Sequence, residues 1–180
     1  MRAERLARLQ RLTEVNGAPG HEGAVRQVLR QDLAGVAQLA EDGMGSLIAR
    51  ATGQAAGPTI LLAAHMDEVA LQVREITPQG FVRFLPLGDW WPPVLVGQRD
   101  VIQGRWGDVA GVIGAASPHL IPRDQRQQAP NFAQMYVDVG AFDAATCQDD
   151  LGLRVGDPII LSSPFTPWWG GEFVLAKALD

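Results

Sequence analysis

Six short apolar runs, separated by turn-forming residues, follow one another between residues 69 and 161. Runs of this length and spacing are typical of β-strands in a compact barrel or sandwich. The 20 glycines and 12 prolines among the 180 residues exceed the roughly 12% that these two residue types reach in average proteins, and they exclude a helical bundle or a coiled coil. The predicted strands span residues 71–76, 80–85, 100–106, 109–113, 134–139 and 157–161.

The first 64 residues combine helical and strand patterns. Residues 6–15 and 21–36 place aliphatic side chains at helical spacing, which predicts two amphipathic helices. Residues 46–50 predict a short strand, and the turn-rich segment 52–58 that follows indicates a hairpin. The continuous apolar run at 59–64 is typical of a strand buried on both faces of a sheet covered by helices. These patterns predict an α/β protein.

Composition and charge limit the partners and the cellular location that we expect for this chain. The formal net charge of −5 provides no positive surface for nucleic acid or an anionic membrane, so neither is an expected partner. The single cysteine, Cys147, excludes an intrachain disulfide framework. The longest uncharged stretches, such as 109–121, contain too many Gly, Pro and Ser residues to cross a membrane. Because the amino terminus also lacks an apolar signal segment, we expect a cytoplasmic protein.

The polar cluster His65-Met-Asp67-Glu68 directly follows the apolar run at 59–64. In α/β sheets, ligands bind beyond the carboxyl ends of the strands, so a reactive site is expected here first. A neutral imidazole is a nitrogen ligand for metal ions, and a nearby carboxylate fixes the ring tautomer and raises its basicity. The same residue types also occur in ordinary hydrogen-bonded surface clusters, so both interpretations stay open at this point.

Several further motifs occur along the chain, in a fixed order around the most specific one, His65-Met-Asp67-Glu68-Val69. The others lie at residues 20–26, 41–48, 97–98, 111–114, 118–119, 138–141, 152–157 and 177–180. Taken together, and over the whole chain, these motifs resemble the TET aminopeptidases, the dinuclear metallopeptidases that include the glutamyl aminopeptidases.

The resemblance implies a role for three residues. His65 corresponds to a ligand of one metal ion, Asp67 to the catalytic carboxylate that orients and polarises this histidine, and Asp180 to the carboxylate that bridges two metal ions. The implied cofactors are two divalent ions, and zinc, cobalt and manganese all accept histidine and carboxylate ligands. The implied reaction is hydrolysis, in which a water between the two ions loses a proton near neutral pH and attacks the peptide carbonyl.

The resemblance also implies an architecture and partners. Residues 1–69 plus 166–180 correspond to part of a catalytic domain, an α/β/α sandwich of the zinc-peptidase type. Residues 70–165 correspond to an inserted, β-barrel-like dimerisation domain, and the turn-rich segment 162–171 is interpreted as a linker that returns from it. The implied partners are peptides, which lose their amino-terminal residues, and further copies of the chain, because the family forms dimers that assemble into dodecamers.

The chain departs from the family pattern at its last residue. In the family, the glutamate base, the adjacent glutamate ligand, a further aspartate ligand and the last histidine ligand all follow the bridging aspartate. Here that aspartate corresponds to Asp180, residue 180 of 180. With only His65 and Asp180 as ligands, each ion would have fewer than the three protein ligands of catalytic zinc sites. The 180-residue chain is therefore expected to bind metal weakly and to be inactive.

Two other functions stay open. The chain could be a non-catalytic oligomerisation module, because it contains the whole predicted dimerisation domain. It could also be an endoglucanase, a name that members of the family have carried, but that chemistry needs two carboxyl groups that face each other across a cleft. Asp67 and Glu68 are adjacent in sequence and point to opposite sides of an extended strand, which disfavours this activity.

Overall fold

The structure, a computed structural model, describes residues 2–53, 57–117, 119–124 and 127–179. The chain forms two compact units, Met1–Glu68 and Val69–Asp180. Within the described ranges, no helix has the length and apolar character that a bilayer crossing requires.

The first unit begins with two helices where the sequence predicts them. Helix α1 spans Arg2–Glu14 and helix α2 spans Gly23–Leu33. Ion pairs between the helices connect Asp32 of α2 with Arg8 and Arg11 of α1. Helix α2 is shorter than the pattern at 21–36 predicts, because Ala34 has an extended ψ of 129°.

An antiparallel hairpin follows the helices. Strand β1 spans Gln38–Glu41 and strand β2 spans Leu47–Arg50. The turn between them depends on Asp42, whose Oδ1 accepts hydrogen bonds from the backbone amides of Met44 at 2.9 Å and Ser46 at 2.8 Å. An aspartate that accepts from the amides two and four residues later stabilises a tight turn.

The structure corrects two predictions for residues 46–64. The strand at 46–50 is present as β2, but its partner among the described residues is β1, which precedes it. Residues 54–56 of the predicted turn at 52–58 lie outside the described residues. The apolar run at 59–64 forms no strand, and Ile60, Leu61 and Leu62 within it are 78%, 87% and 90% exposed. An apolar run indicates a preference for burial, but a buried strand also needs hydrogen-bonded neighbours and covering helices. The described part of the chain provides neither for this segment.

Six strands of the second unit form a closed antiparallel barrel. They are β3 (Ala70–Ile76), β4 (Phe81–Leu87), β5 (Arg99–Gly104), β6 (Gly107–Ala115), β7 (Met135–Asp138) and β8 (Pro158–Leu161). Each lies where the sequence predicts a strand, displaced by at most two residues at either end. Around the barrel the order is β3-β4-β7-β6-β5-β8, and β8 pairs back to β3.

Alternate residues of these strands fill the barrel. Val82 of β4, Ile102 of β5, Ile113 of β6 and Val137 of β7 are almost completely buried and belong to one apolar cluster. The barrel therefore has its own core and requires no side chain of the first unit to fill it.

A second hairpin follows the barrel. Strand β9 spans Thr166–Trp168 and pairs antiparallel with β10, which spans Phe173–Leu175. Segment 162–171, interpreted from the sequence as a linker, thus contains the first strand of this hairpin. Trp168 and Trp169 are 57% and 85% exposed.

Candidate metal centre

Residues 65–68 form an irregular segment that is fixed to the loop between α1 and α2. The backbone amide of Glu68 donates a hydrogen bond to the carbonyl oxygen of Gly17 at 2.8 Å. In return, the amide of Gly17 donates to the Glu68 side-chain Oε1 at 3.2 Å. These two bonds hold the polar cluster in place.

Gly17 allows this close approach because it has no side chain. A Cβ at this position would lie 2.7 Å from Cγ2 of Val25 and 3.0 Å from the backbone oxygen of Met66. Gly17 and the neighbouring Ala18 are buried, and Val25 belongs to the first turn of α2. The contact between the loop and segment 65–68 therefore depends on glycine at position 17.

His65 and Asp67 contact each other directly. Nδ1 of His65 lies 2.8 Å from the backbone oxygen of Asp67 and 3.1 Å from its side-chain Oδ1. Both oxygens accept hydrogen bonds, so the proton of the neutral ring belongs on Nδ1, and Nε2 presents its lone pair. This is the tautomer and the carboxylate–histidine arrangement that metal-ligating histidines adopt in proteins.

Both side chains are accessible from solvent, with 59% of His65 and 41% of Asp67 exposed. An ion can therefore reach Nε2 of His65 without a rearrangement of the loop. The carboxylate next to the ring also favours a cation at this position.

Glu68 and Asp180, the other acidic residues considered for the site, do not join His65 and Asp67 in the described part of the structure. Glu68 is directed to Gly17, so its carboxylate is not paired with that of Asp67 across a cleft. Asp180, the predicted bridging ligand, lies outside the described residues. Within the described ranges, no three His, Cys, Asp or Glu side chains come close enough together to hold a metal ion. The described part of the site is thus one histidine with its orienting aspartate.

Two features of the structure were not identified from the sequence. The first is the anchoring of Glu68 on Gly17, for which the only signal is the turn-rich segment 16–20 between two helices. The second is Asp100, a carboxyl group buried inside the barrel. Its signal is an aspartate that alternates with the apolar Ile102 along strand β5 and so takes an inward position.

Residues 45–180 match the model of the M42 glutamyl aminopeptidase family. The chain is 33% identical over 177 residues to the glutamyl aminopeptidase of Lactococcus lactis subsp. cremoris. The aligned region covers 96% of this chain and 50% of that protein.

Solved structures of TET peptidases are also similar to this chain. The chain is similar to a TET aminopeptidase from a marine sediment Thaumarchaeota archaeon, with a TM-score of 0.88 and 34% identity over 93% of this chain and 47% of that one. The TET1 peptidase of Pyrococcus horikoshii, which can assemble into a tetrahedron or a large octahedral shell, gives a TM-score of 0.81 and 27% identity over 97% of this chain and 51% of that one.

These matches define both the family and the extent of the similarity. The mixed α/β fold with its closed six-stranded barrel is similar to the TET aminopeptidase fold. The chain spans about half the length of the curated relatives it matches, from 43% to 50%. Because the family model covers residues 45–180 of this sequence, the chain belongs to the M42 glutamyl aminopeptidase family.

Proposed function

We propose that this chain is part of a metal-dependent aminopeptidase, which removes amino-terminal residues from peptides. The contact between His65 and Asp67 carries the proposal, because it orients an imidazole as a metal ligand requires. Membership of a family of aminopeptidases supports the same activity.

The donor groups fit divalent ions such as zinc, cobalt or manganese. We assign His65 as the ligand of one ion through Nε2, Asp67 as the carboxylate that orients it, and Asp180 as a bridging ligand. Imidazole and carboxylate ligands suit all three metals. The chemistry that such ions would supply at this site is activation of a water molecule and polarisation of the peptide carbonyl.

The residues of the chain have separate tasks in this proposal. Asp67 holds the proton on Nδ1 of His65 and so leaves the lone pair of the opposite nitrogen, Nε2, available to a metal ion. Glu68 and Gly17 hold the segment that carries both residues. The general base and the remaining ligands belong outside the described residues, in keeping with the family pattern in which they follow the aspartate that corresponds to Asp180.

The proposal extends to domains and assembly. Residues 1–69 and 166–180 would form part of the catalytic α/β/α sandwich, and 70–165 an inserted dimerisation domain that contains the barrel. The oligomeric shells of the Pyrococcus horikoshii TET1 peptidase support a homo-oligomer. For this chain the proposed building block is a dimer, and the proposed assembly is a dodecamer. The proposed location is the cytoplasm, where peptides are available as substrates.

The test uses the purified natural gene product and two forms of one peptide, with a free or an acetylated amino terminus. We expect release of the first residue from the free form only, with zinc, cobalt or manganese present. A chelator should abolish release, re-addition of metal should restore it, and His65→Ala should abolish it again. The control variant Asp108→Ala, at an exposed position of β6, should keep the activity. Cleavage of the acetylated peptide, or cleavage that resists both the chelator and His65→Ala, contradicts the proposal.

A second candidate is a non-catalytic oligomerisation module. The closed barrel is complete within the described residues, whereas no group of three metal-ligating side chains occurs among them. Under this alternative, the gene product releases no residue from any peptide with metal present, but light scattering finds a uniform dimer or a larger assembly.

A further inference from the structure

A carboxyl group lies inside the barrel, where the other inward side chains are apolar. Asp100 of β5 is 1% exposed and lies two residues from the buried Ile102. In the barrel register it is opposite Gly111 of β6 and Leu161 of β8. Neither carboxyl oxygen has a hydrogen-bond partner among the described residues. Buried polar side chains almost always have such a partner, so Asp100 needs a physical explanation.

The side chain of Asp100 occupies space that Gly111 leaves open. A Cβ on Gly111 would lie 2.7 Å from Oδ1 of Asp100 and would also clash with Cγ1 of Val137 on β7. The carboxyl group is therefore enclosed by the backbone of β6 and by hydrocarbon groups of the core. A charged carboxylate in such surroundings loses its hydration without compensation.

The charged residues of the neighbouring strands do not compensate a charge at this position. Arg99 of β5, Asp108 of β6 and Asp138 of β7 alternate with the inward positions and belong to the outer face of the barrel. Strand β8, Pro158–Leu161, carries only apolar side chains.

Among the residues that the structure describes, Cys147 is a second titratable group in the buried core. Its Sγ donates a hydrogen bond to the carbonyl oxygen of Gly80 at 3.2 Å, so its partner is backbone and not Asp100. Burial raises the pKa of Asp100 from its ordinary value of 3.8 to about 7.

We propose that Asp100 is a pH-sensitive element of the barrel, an uncharged carboxylic acid in the folded state whose ionisation weakens the packing between β5 and β6. The only chemical step is release of the carboxyl proton to water as the pH rises. This inference concerns the barrel alone and does not depend on the proposed enzymatic activity.

The direction of the pH dependence follows from proton binding. The folded state binds the Asp100 proton more tightly than the unfolded chain does. Its stabilising contribution is complete below pH 3.8 and is lost as the pH rises to about 7. From this group alone, the equilibrium constant for unfolding increases about a hundredfold between pH 5 and pH 8.

Urea unfolding of the 180-residue chain, followed by tryptophan fluorescence, measures this change. All five tryptophans lie between residues 90 and 169 and therefore report on the second unit. The variant Asp100→Asn keeps the shape of the protonated acid but cannot ionise. We expect the ratio of the wild-type unfolding constant to that of Asp100→Asn to rise about a hundredfold from pH 5 to pH 8. The control Asp108→Asn, on the outer face, should follow the wild type at every pH.

Infrared spectroscopy gives a second readout that requires no variant to fold. At pH 6 the wild type should show the carbonyl stretch of a protonated carboxyl group, and this band should disappear by pH 9. Absence of the band at pH 6 overturns the proposal, and so do parallel stability curves of the wild type and Asp100→Asn.

Discussion

Nδ1 of His65 faces two oxygens of a single residue, the backbone carbonyl of Asp67 at 2.8 Å and its carboxylate at 3.1 Å. A single residue separates His65 and Asp67 in the sequence, so the arrangement is local. Glu68 and Gly17 connect it to the rest of the fold, because the hydrogen bonds between them hold the segment in place. The ring proton is held on Nδ1, and Nε2 on the opposite side of the ring is left as the ligand nitrogen.

Replacing Asp67 should weaken metal binding without abolishing it. In Asp67→Ala the carboxylate is lost, but the backbone oxygen still accepts the Nδ1 proton of His65. We expect zinc affinity to fall by about tenfold to a hundredfold, the usual effect of losing a partner that orients a ligating histidine. Competition with a chromogenic chelator measures the change. Asp108→Ala should leave the zinc affinity unchanged. If Asp67→Ala binds zinc as tightly as the wild type does, Asp67 has no part in the metal site.

Adding a methyl group at position 17 should destabilise the first unit. Gly17→Ala places a Cβ against Val25 and the Met66 backbone, and overpacking of this kind costs about 1–3 kcal/mol. Gly23→Ala is the matched control, because nothing lies within 4 Å of its Cβ position in α2, and alanine there favours the helix by up to about 1 kcal/mol. Thermal unfolding followed by circular dichroism compares the two variants, and equal midpoints would show that the loop can move away from segment 65–68.

Asp143 should titrate below the ordinary range of aspartate. Its Oδ1 accepts hydrogen bonds from the backbone amide and from the hydroxyl of Thr146, both at 2.8 Å. The backbone bond is the main cause that lowers the pKa of Asp143 below 3.8. A lowered pKa means that Asp143 stabilises the folded state above pH 3.8 and that this contribution is lost as the pH falls.

Carbon-13 shifts of the Asp143 carboxyl group during an acid titration measure this pKa. In Thr146→Val the hydroxyl is lost and the backbone amide stays, so the pKa should rise but remain below 3.8. A wild-type value at or above 3.8 contradicts the observed hydrogen bonds.

The strands of the barrel could be predicted from the sequence because the residues that mark each strand and its ends are neighbours in the chain. Each strand is bounded by turn residues, such as Gly88 and Gly97 between β4 and β5, so the ends of the six strands are visible in the chain. Closure into a barrel is different, since it depends on the pairing of β8 with both β3 and β5. The spacing of the strands therefore left a barrel and a sandwich open, and only the family resemblance favoured a barrel-like domain.

Predictions that depended on distant partners were less successful. The run at 59–64 has the composition of a buried strand, but composition does not reveal whether neighbouring strands exist. Strand β1, Gln38–Glu41, was missed because four residues with two polar ends give little periodic signal. His65 and Asp67 are close together because a single residue separates them in the chain. The anchoring of Glu68 on Gly17 joins residues 51 positions apart, and the turn-rich segment 16–20 gave no indication of this distant partner.

Crystallography of the natural gene product soaked with zinc or cobalt, using anomalous scattering, tests the assignment of the metal site most directly. We expect an anomalous peak about 2.0–2.1 Å from Nε2 of His65, with Asp67 on the opposite side of the ring and the Asp180 carboxylate between this ion and a second one. A metal ion bound through Nδ1 of His65, or ions bound only at residues other than His65 and Asp180, would contradict the account.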